Sequence, residues 1–229
     1  TPRDAAKPRD AVKPRDAVKP RDAVKPRDAV KPRDAASLVI VRGRGSAARV
    51  LLGRREPRHR FMPDVWVFPG GRVDPMDSRS PVSSELSPAV AAKLEARWSP
   101  ARARALAIAA VRETFEETGL TFGEVVGGQL RPALDGLHYL ARAITPTMSP
   151  IRFHARFFLT DAVNGSGELG GNGELLDLRW VPIPEAMELP IINVTGFVLQ
   201  EAARRAAGQP SRGVLSIRFR RSSPLLRYE

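Results

Sequence analysis

The fold class that the sequence predicts is α/β: a sandwich built on a mixed sheet. Three observations carry it. Short apolar runs of strand character crowd the first half of the body, helical patterns lie among them, and a late helix precedes a last strand. Residues 37–41 and 49–52 are apolar runs separated by Arg-Gly-Arg-Gly-Ser, which reads as a hairpin. Val65-Trp66-Val67-Phe68 reads as a short strand running into Pro69-Gly70-Gly71, where paired glycines let backbone turn or approach a ligand closely. Residues 78–88, rich in Ser and Pro, form a loop, and 88–98 have helical composition. A helix then starts with Ser99 as N-cap and Pro100 in its first turn, and stops at Gly119. Its stripe of Ile108, Val111 and Phe115 is the face built to pack. Residues 152–160 alternate, with Phe153, Ala155, Phe157 and Leu159 opposite Arg152, His154 and Arg156, and predict a half-buried strand. A glycine-rich loop over 164–173 leads to a strand over 174–181 with Trp180 in the core. A closing helix over 194–207 and a final strand over 213–219 complete the order.

The first 36 residues are of another kind. They are six hexads, four of them Lys-Pro-Arg-Asp-Ala-Val, and each offers too little apolar surface to offset ordering entropy. A proline every sixth residue also interrupts helix and sheet, so 1–36 is expected to be a disordered, partly polyproline-like tail and 37–229 the folded domain. The formal net charge is +12, of which the tail's 5 Lys, 6 Arg and 6 Asp supply +5. A basic body suits anionic substrates such as phosphate esters. Each tail arginine is followed by an aspartate and the tail has no aromatic residue, which argues against nucleic acid as a partner. Cysteine is absent, excluding disulfides, a thiol nucleophile and thiolate metal sites. No run approaches the length of a membrane span, so no membrane partner is expected, and a cytoplasmic enzyme is. A homodimer is left open.

The chemistry concentrates at 112–120, Arg-Glu-Thr-Phe-Glu-Glu-Thr-Gly-Leu. On a helix Glu113, Glu116 and Glu117 fall within an arc of about 100°. Glu113 and Glu117 are a like-charge i,i+4 pair, and Arg112 is the one cation in register with Glu116. An acidic face of this kind suits a hard divalent cation, which takes carboxylate oxygens together with substrate phosphates. The bland alternative is a solvated acidic helix.

Phe68-Pro69-Gly70-Gly71 together with Arg112, Glu113, Glu116, Glu117, Gly119 and Leu120 resembles the Nudix box of the Nudix hydrolases. Asp77 stands where that signature has its first glutamate, and Thr114 replaces an aliphatic residue. The gap from Gly71 to Arg112 is about 27 residues longer than usual, an insertion at about 78–104 of a kind that loop-closure entropy tolerates. The resemblance implies a Nudix-type α/β/α sandwich and a hydrolase that cleaves a diphosphate bond in a nucleoside diphosphate linked to another moiety. It also implies Mg²⁺ (or Mn²⁺) held by Glu113, Glu116, Glu117 and the Gly70 carbonyl. Glu113, Arg112 and Glu117 become the catalytic set, with Glu113 as water-directing base and Arg112 steadying a carboxylate.

Upstream, Arg55 and Arg60 ahead of Phe-Pro-Gly-Gly look like the motif of the coenzyme A diphosphatase subgroup, although Gly53, Glu56 and Asp64 depart from it. The long insertion and the run from Ile144 to Phe158 resemble the peroxisomal coenzyme A-cleaving branch, so coenzyme A or acyl-coenzyme A is the implied substrate. Arg55, Arg60 and Glu174 are the substrate-binding candidates, with a strand-edge role as the alternative for Glu174. A nucleotide sensor without turnover and an RNA 5′-end hydrolase are the competing accounts. His59, His138 and His154 show no zinc spacing.

Overall fold

The structure, a computed structural model, describes residues 30–57, 62–220 and 223–229. In chain order it holds β1 (Arg33–Arg42), β2 (Arg49–Arg55), β3 (Trp66–Val67), β4 (Gly70–Arg72), α1 (Pro88–Glu95), α2 (Pro100–Thr118), β5 (Gly123–Val126), β6 (Gln129–Pro132), β7 (His138–Ile144), β8 (Phe153–Asp161), β9 (Leu175–Pro182), α3 (Ile183–Ala186), α4 (Asn193–Ala206), β10 (Leu215–Arg220) and β11 (Ser223–Tyr228). Short 3-10 turns lie at Gly45–Ala47, Asp77–Arg79 and Ala162–Asn164. The hexads over 1–29, and His59 and Arg60, lie outside the described residues.

Among the described residues nine strands make one sheet, ordered β11-β10-β7-β8-β1-β2-β3, with β4 also on β1 and β9 also on β2. It is mixed: β1 runs parallel to β8 and β10 parallel to β7, while the other pairs are antiparallel. Alternate residues of β1 feed two separate cores. Leu38 and Ile40 pack with Leu106, Ile108 and Leu94 under α1 and α2. Val39 and Val41 pack with Val198 and Leu199 under α4. Helices cover both faces, giving the predicted three-layer sandwich. None of the described helices is long and apolar enough to cross a membrane.

Two expectations need correction, and one hairpin was not anticipated. β1 begins at Arg33, so the last hexad joins the sheet and the folded part starts before residue 37. Its backbone pairs with Phe153 and Arg72, and Asp34 accepts hydrogen bonds from Arg156 and Arg102, contacts that outweigh the low apolar content of Arg-Asp-Ala-Ala. β8 is buried on both faces, not one. Arg156 is 0% exposed, paired with Asp34 and lying 4.4 Å over the Trp98 ring. The hairpin β5–β6 went unread although Gly127-Gly128, both at positive φ, makes the two-residue turn that joins such strands. Within 78–104, Val90 and Leu94 of α1 enter the core and Trp98 lies over Arg156, so this segment covers the α2 face of the sheet.

Candidate active site

Helix α2 positions the site. The Ser99 hydroxyl accepts from Arg102 N–H at 3.4 Å, and Gly119, at φ 74, closes the other end with its N–H on Phe115 O. Ala103 through Val111 are buried with the exception of Arg104, so the helix is locked in place and its last two turns present the glutamates to β4.

Two glycines of β4 receive them. Gly70 N–H donates to Glu117 Oε2 at 2.7 Å. The Glu113 carboxylate occupies the space that a Cβ on Gly71 would fill. Glu117 is 6% exposed, and its pKa is pushed up to about 8 by burial and by the Glu113 and Glu174 charges, against the Gly70 N–H. The Glu113 pKa is raised by burial and by Glu116 and Glu174, against the pull of Arg112. Glu116 stands farther out, its side chain 45% exposed.

Arg112 is engaged more fully than an acidic face with little to neutralise it would suggest. It donates to Asp77 through Nε and Nη2, to Glu113 and Glu116 through Nη1, and to Arg72 O. Burial works against its charge, but the Asp77 hydrogen bond and the surrounding carboxylates prevail and raise its pKa. Asp77 is 1% exposed, so the aspartate in the glutamate position of the box anchors Arg112 from beneath.

These groups line a cleft of about 1490 Å³. Arg55 enters it close enough to Glu117 to feel its charge. Glu174, just ahead of β9, is exposed at its rim, and Gly70 and Gly71 form one wall. Arg60 lies outside the described residues. His154 packs against Trp98 and Arg142, away from the glutamates, and its pKa is pushed down to about 3 by burial and by Arg156 and Arg142.

As the side chains stand, no three carboxylates or imidazoles among the described residues are grouped to hold one ion, because Arg112 draws Glu113 and Glu116 to itself. The donor set nonetheless fits a hard divalent cation. Glu113, Glu117 and Glu174 line the cleft together, Glu113 and Glu174 both raise the cost of the Glu117 charge, and Glu117 lacks a salt bridge among the described residues.

A family model for the NUDIX domain matches residues 101–205, which takes in the glutamate helix but starts after the diglycine strand. The solved NUDIX hydrolase of Alicyclobacillus acidocaldarius is 28% identical, with a TM-score of 0.57 over 80% of this chain and 98% of that one. The mutator MutT protein of Bacillus halodurans is 15% identical, with a TM-score of 0.50 over 85% of this chain and 97% of that one, a likeness of fold alone. No curated protein matches the chain. Nudix hydrolases generally use divalent metals such as Mg²⁺. With its glutamate helix seated on the diglycine strand in this topology, and with residues 101–205 matching the NUDIX domain, the protein has the Nudix fold and is a hydrolase.

Proposed function

We propose that the enzyme hydrolyses the diphosphate bond of a nucleoside diphosphate linked to another moiety, with coenzyme A or acyl-coenzyme A as the substrate. The observation that carries this is the buried Glu117 carboxylate, hydrogen-bonded to Gly70 and crowded by Glu113 and Glu174 inside a large cleft. Glu113, Glu116, Glu117 and the Gly70 carbonyl would hold Mg²⁺ or Mn²⁺, which when bound neutralises diphosphate oxygens and acidifies water.

Each residue then has its own task. Glu113, the pKa of which is raised, takes the proton of the attacking water as the new P–O bond forms and the bridging P–O bond breaks. Glu117 keeps its place through Gly70 N–H. Arg112 aims Glu113 and Glu116, and Asp77 holds Arg112. Arg55, Arg60 and Glu174 bind the substrate, the two arginines carrying charge for the phosphates, as arginine forks do. The cleft exceeds the roughly 300–1,000 Å³ of ordinary small-molecule pockets and so suits a substrate as long as coenzyme A. On this reading the partners are small molecules, the setting is cytoplasmic, and a homodimer is compatible with the site.

Mass spectrometry of the products from coenzyme A, NADH, ADP-ribose and capped RNA, each incubated with Mg²⁺, tests the proposal. A 4′-phosphopantetheine product is the expected result. Cleavage of the other substrates with coenzyme A intact would overturn the substrate, and no cleavage of any would overturn the reaction.

A further inference from the structure

Three alanines stand in one cross-strand row of the sheet. Ala35 of β1 is opposite Ala155 of β8, and Ala155 is opposite Ala143 of β7. All three line the same cleft as the glutamates. On its near side Ala35 pairs with Arg72 of β4, the strand that carries Gly70 and Gly71. The row therefore leads directly away from the diglycine wall, and strands two apart are roughly 10 Å apart, which sets its length.

Successive residues of β1 point to opposite faces, so Ala36 packs under α2 while Ala35 faces the α4 side. The cleft thus passes around β4, which is only three residues long, from the glutamates to a trough on the other face. A methyl group at each of three adjacent positions leaves the floor low where larger side chains would fill it. Phe153 rises on one flank of the row. On the other stand Phe157 and Phe68, in edge-to-face contact at 6.2 Å. Ile192 and Val194 beside the start of α4, with Phe219 of β10, add further apolar wall.

The floor offers methyl groups and a backbone already paired within the sheet. Hydrocarbon laid on that floor leaves water without stranding a polar group of the protein, while Ser37, Thr145, Asn193 and Thr195 supply polar atoms elsewhere in the same cleft. We propose that this alanine trough seats an extended aliphatic chain carried by the substrate beyond its diphosphate, and that Ala35, Ala155 and Ala143 set the chain length accepted. The inference rests on the diphosphate hydrolysis proposed above and deepens it.

The test uses the full chain with Mg²⁺ and a homologous series of β-alkyl esters of adenosine diphosphate, from methyl to octyl. KM is expected to fall by about fourfold per added methylene until the trough is filled. In Ala155→Leu, and independently in Ala143→Leu, the fall should stop after fewer methylenes, since leucine fills the floor. A KM that ignores chain length in the wild type, or a dependence that both variants retain in full, would overturn the proposal. If the wild type cleaves none of the esters, it is the hydrolytic reading that fails. Dissociation constants of the same esters, measured by calorimetry, then decide the trough: affinity that climbs with chain length and is blunted in the variants supports it, and affinity flat across the series overturns it.

Discussion

A methyl group added at Gly71 would meet the Glu113 carboxylate before it met anything else. That carboxylate is the far end of a flexible side chain, so it can swing aside at little cost to the fold. Gly71→Ala is therefore expected to change stability by less than about 1 kcal/mol in urea unfolding, while kcat falls on the order of 100-fold because a group that must be placed to within an ångström is displaced. Gly70 differs in kind. At φ 149 its added Cβ would overlap Ala36 O and Ser37 backbone, so alanine there strains the fold itself. A fall in stability for Gly71→Ala as large as that for Gly70→Ala would contradict this division of labour. Asp77 and Arg112 illustrate how a departure from a motif can keep its physics. A shorter carboxylate serves because the Asp77–Arg79 turn brings it beneath the guanidinium.

At the level of elements, the start of β1 makes the sharpest prediction. Asp34 answers the buried Arg156, so Asp34→Ala leaves a charge with no counter-ion in the interior and should cost about 3–5 kcal/mol in denaturant unfolding. By the same argument, removing residues 1–29, which keeps the Val30 carbonyl that accepts from the buried Arg152, should leave the thermal midpoint nearly unchanged, whereas removing 1–36 should lower it sharply. Equal midpoints for the two truncations would show that the last hexad contributes nothing.

The glutamate helix was legible because its signals are local: a cap, a proline, a stop and a periodic stripe within twenty-one residues, 99–119. β1 and β9 were legible as apolar runs. The burial of Arg156 was not, since a charged residue alternating with phenylalanines reads as solvent-facing until Trp98 and Asp34, distant in sequence, are folded onto it. β11 escaped for a related reason. Its residues are almost all exposed, it carries Pro224, and only pairing with β10 makes it a strand. Within the site, local spacing put Glu113 and Glu117 on one face of the helix and the family resemblance set them against the diglycine, but the grip of Arg112 on Asp77 spans 35 positions and depends on how 78–104 folds.

For the molecule as a whole, three layers put acid chemistry and basic structure on different parts of one sheet. The glutamates gather at β4, while Arg142 and Arg156, directly opposite each other on β7 and β8, are buried and balanced by Glu229 and Asp34. His154, two residues before Arg156 on β8, is a neutral ring flanked by Arg142, Arg156, Arg102, Asp34 and Trp98. Its folded pKa of about 3 lies below the ordinary 6.5. The contribution of neutral His154 to stability is therefore complete above 6.5 and is lost as the pH falls toward 3, because the unfolded chain takes up the proton first. The ion pairs of Asp34 and Glu229, the carboxyls of which are held low by Arg156 and Arg142, weaken in the same direction. Unfolding midpoints followed from neutral to acid should fall, and should fall less steeply in His154→Asn; identical slopes would remove His154 from the balance.

On the proposed reading the reaction rests on Glu117. The most direct measurement is Mg²⁺-dependent kcat of Glu117→Gln against wild type on whichever diphosphate the wild type cleaves, with circular dichroism alongside. The amide oxygen of glutamine can still accept from Gly70 N–H, so the fold should persist while turnover drops by at least about 100-fold. A folded variant that retains full turnover would contradict the account.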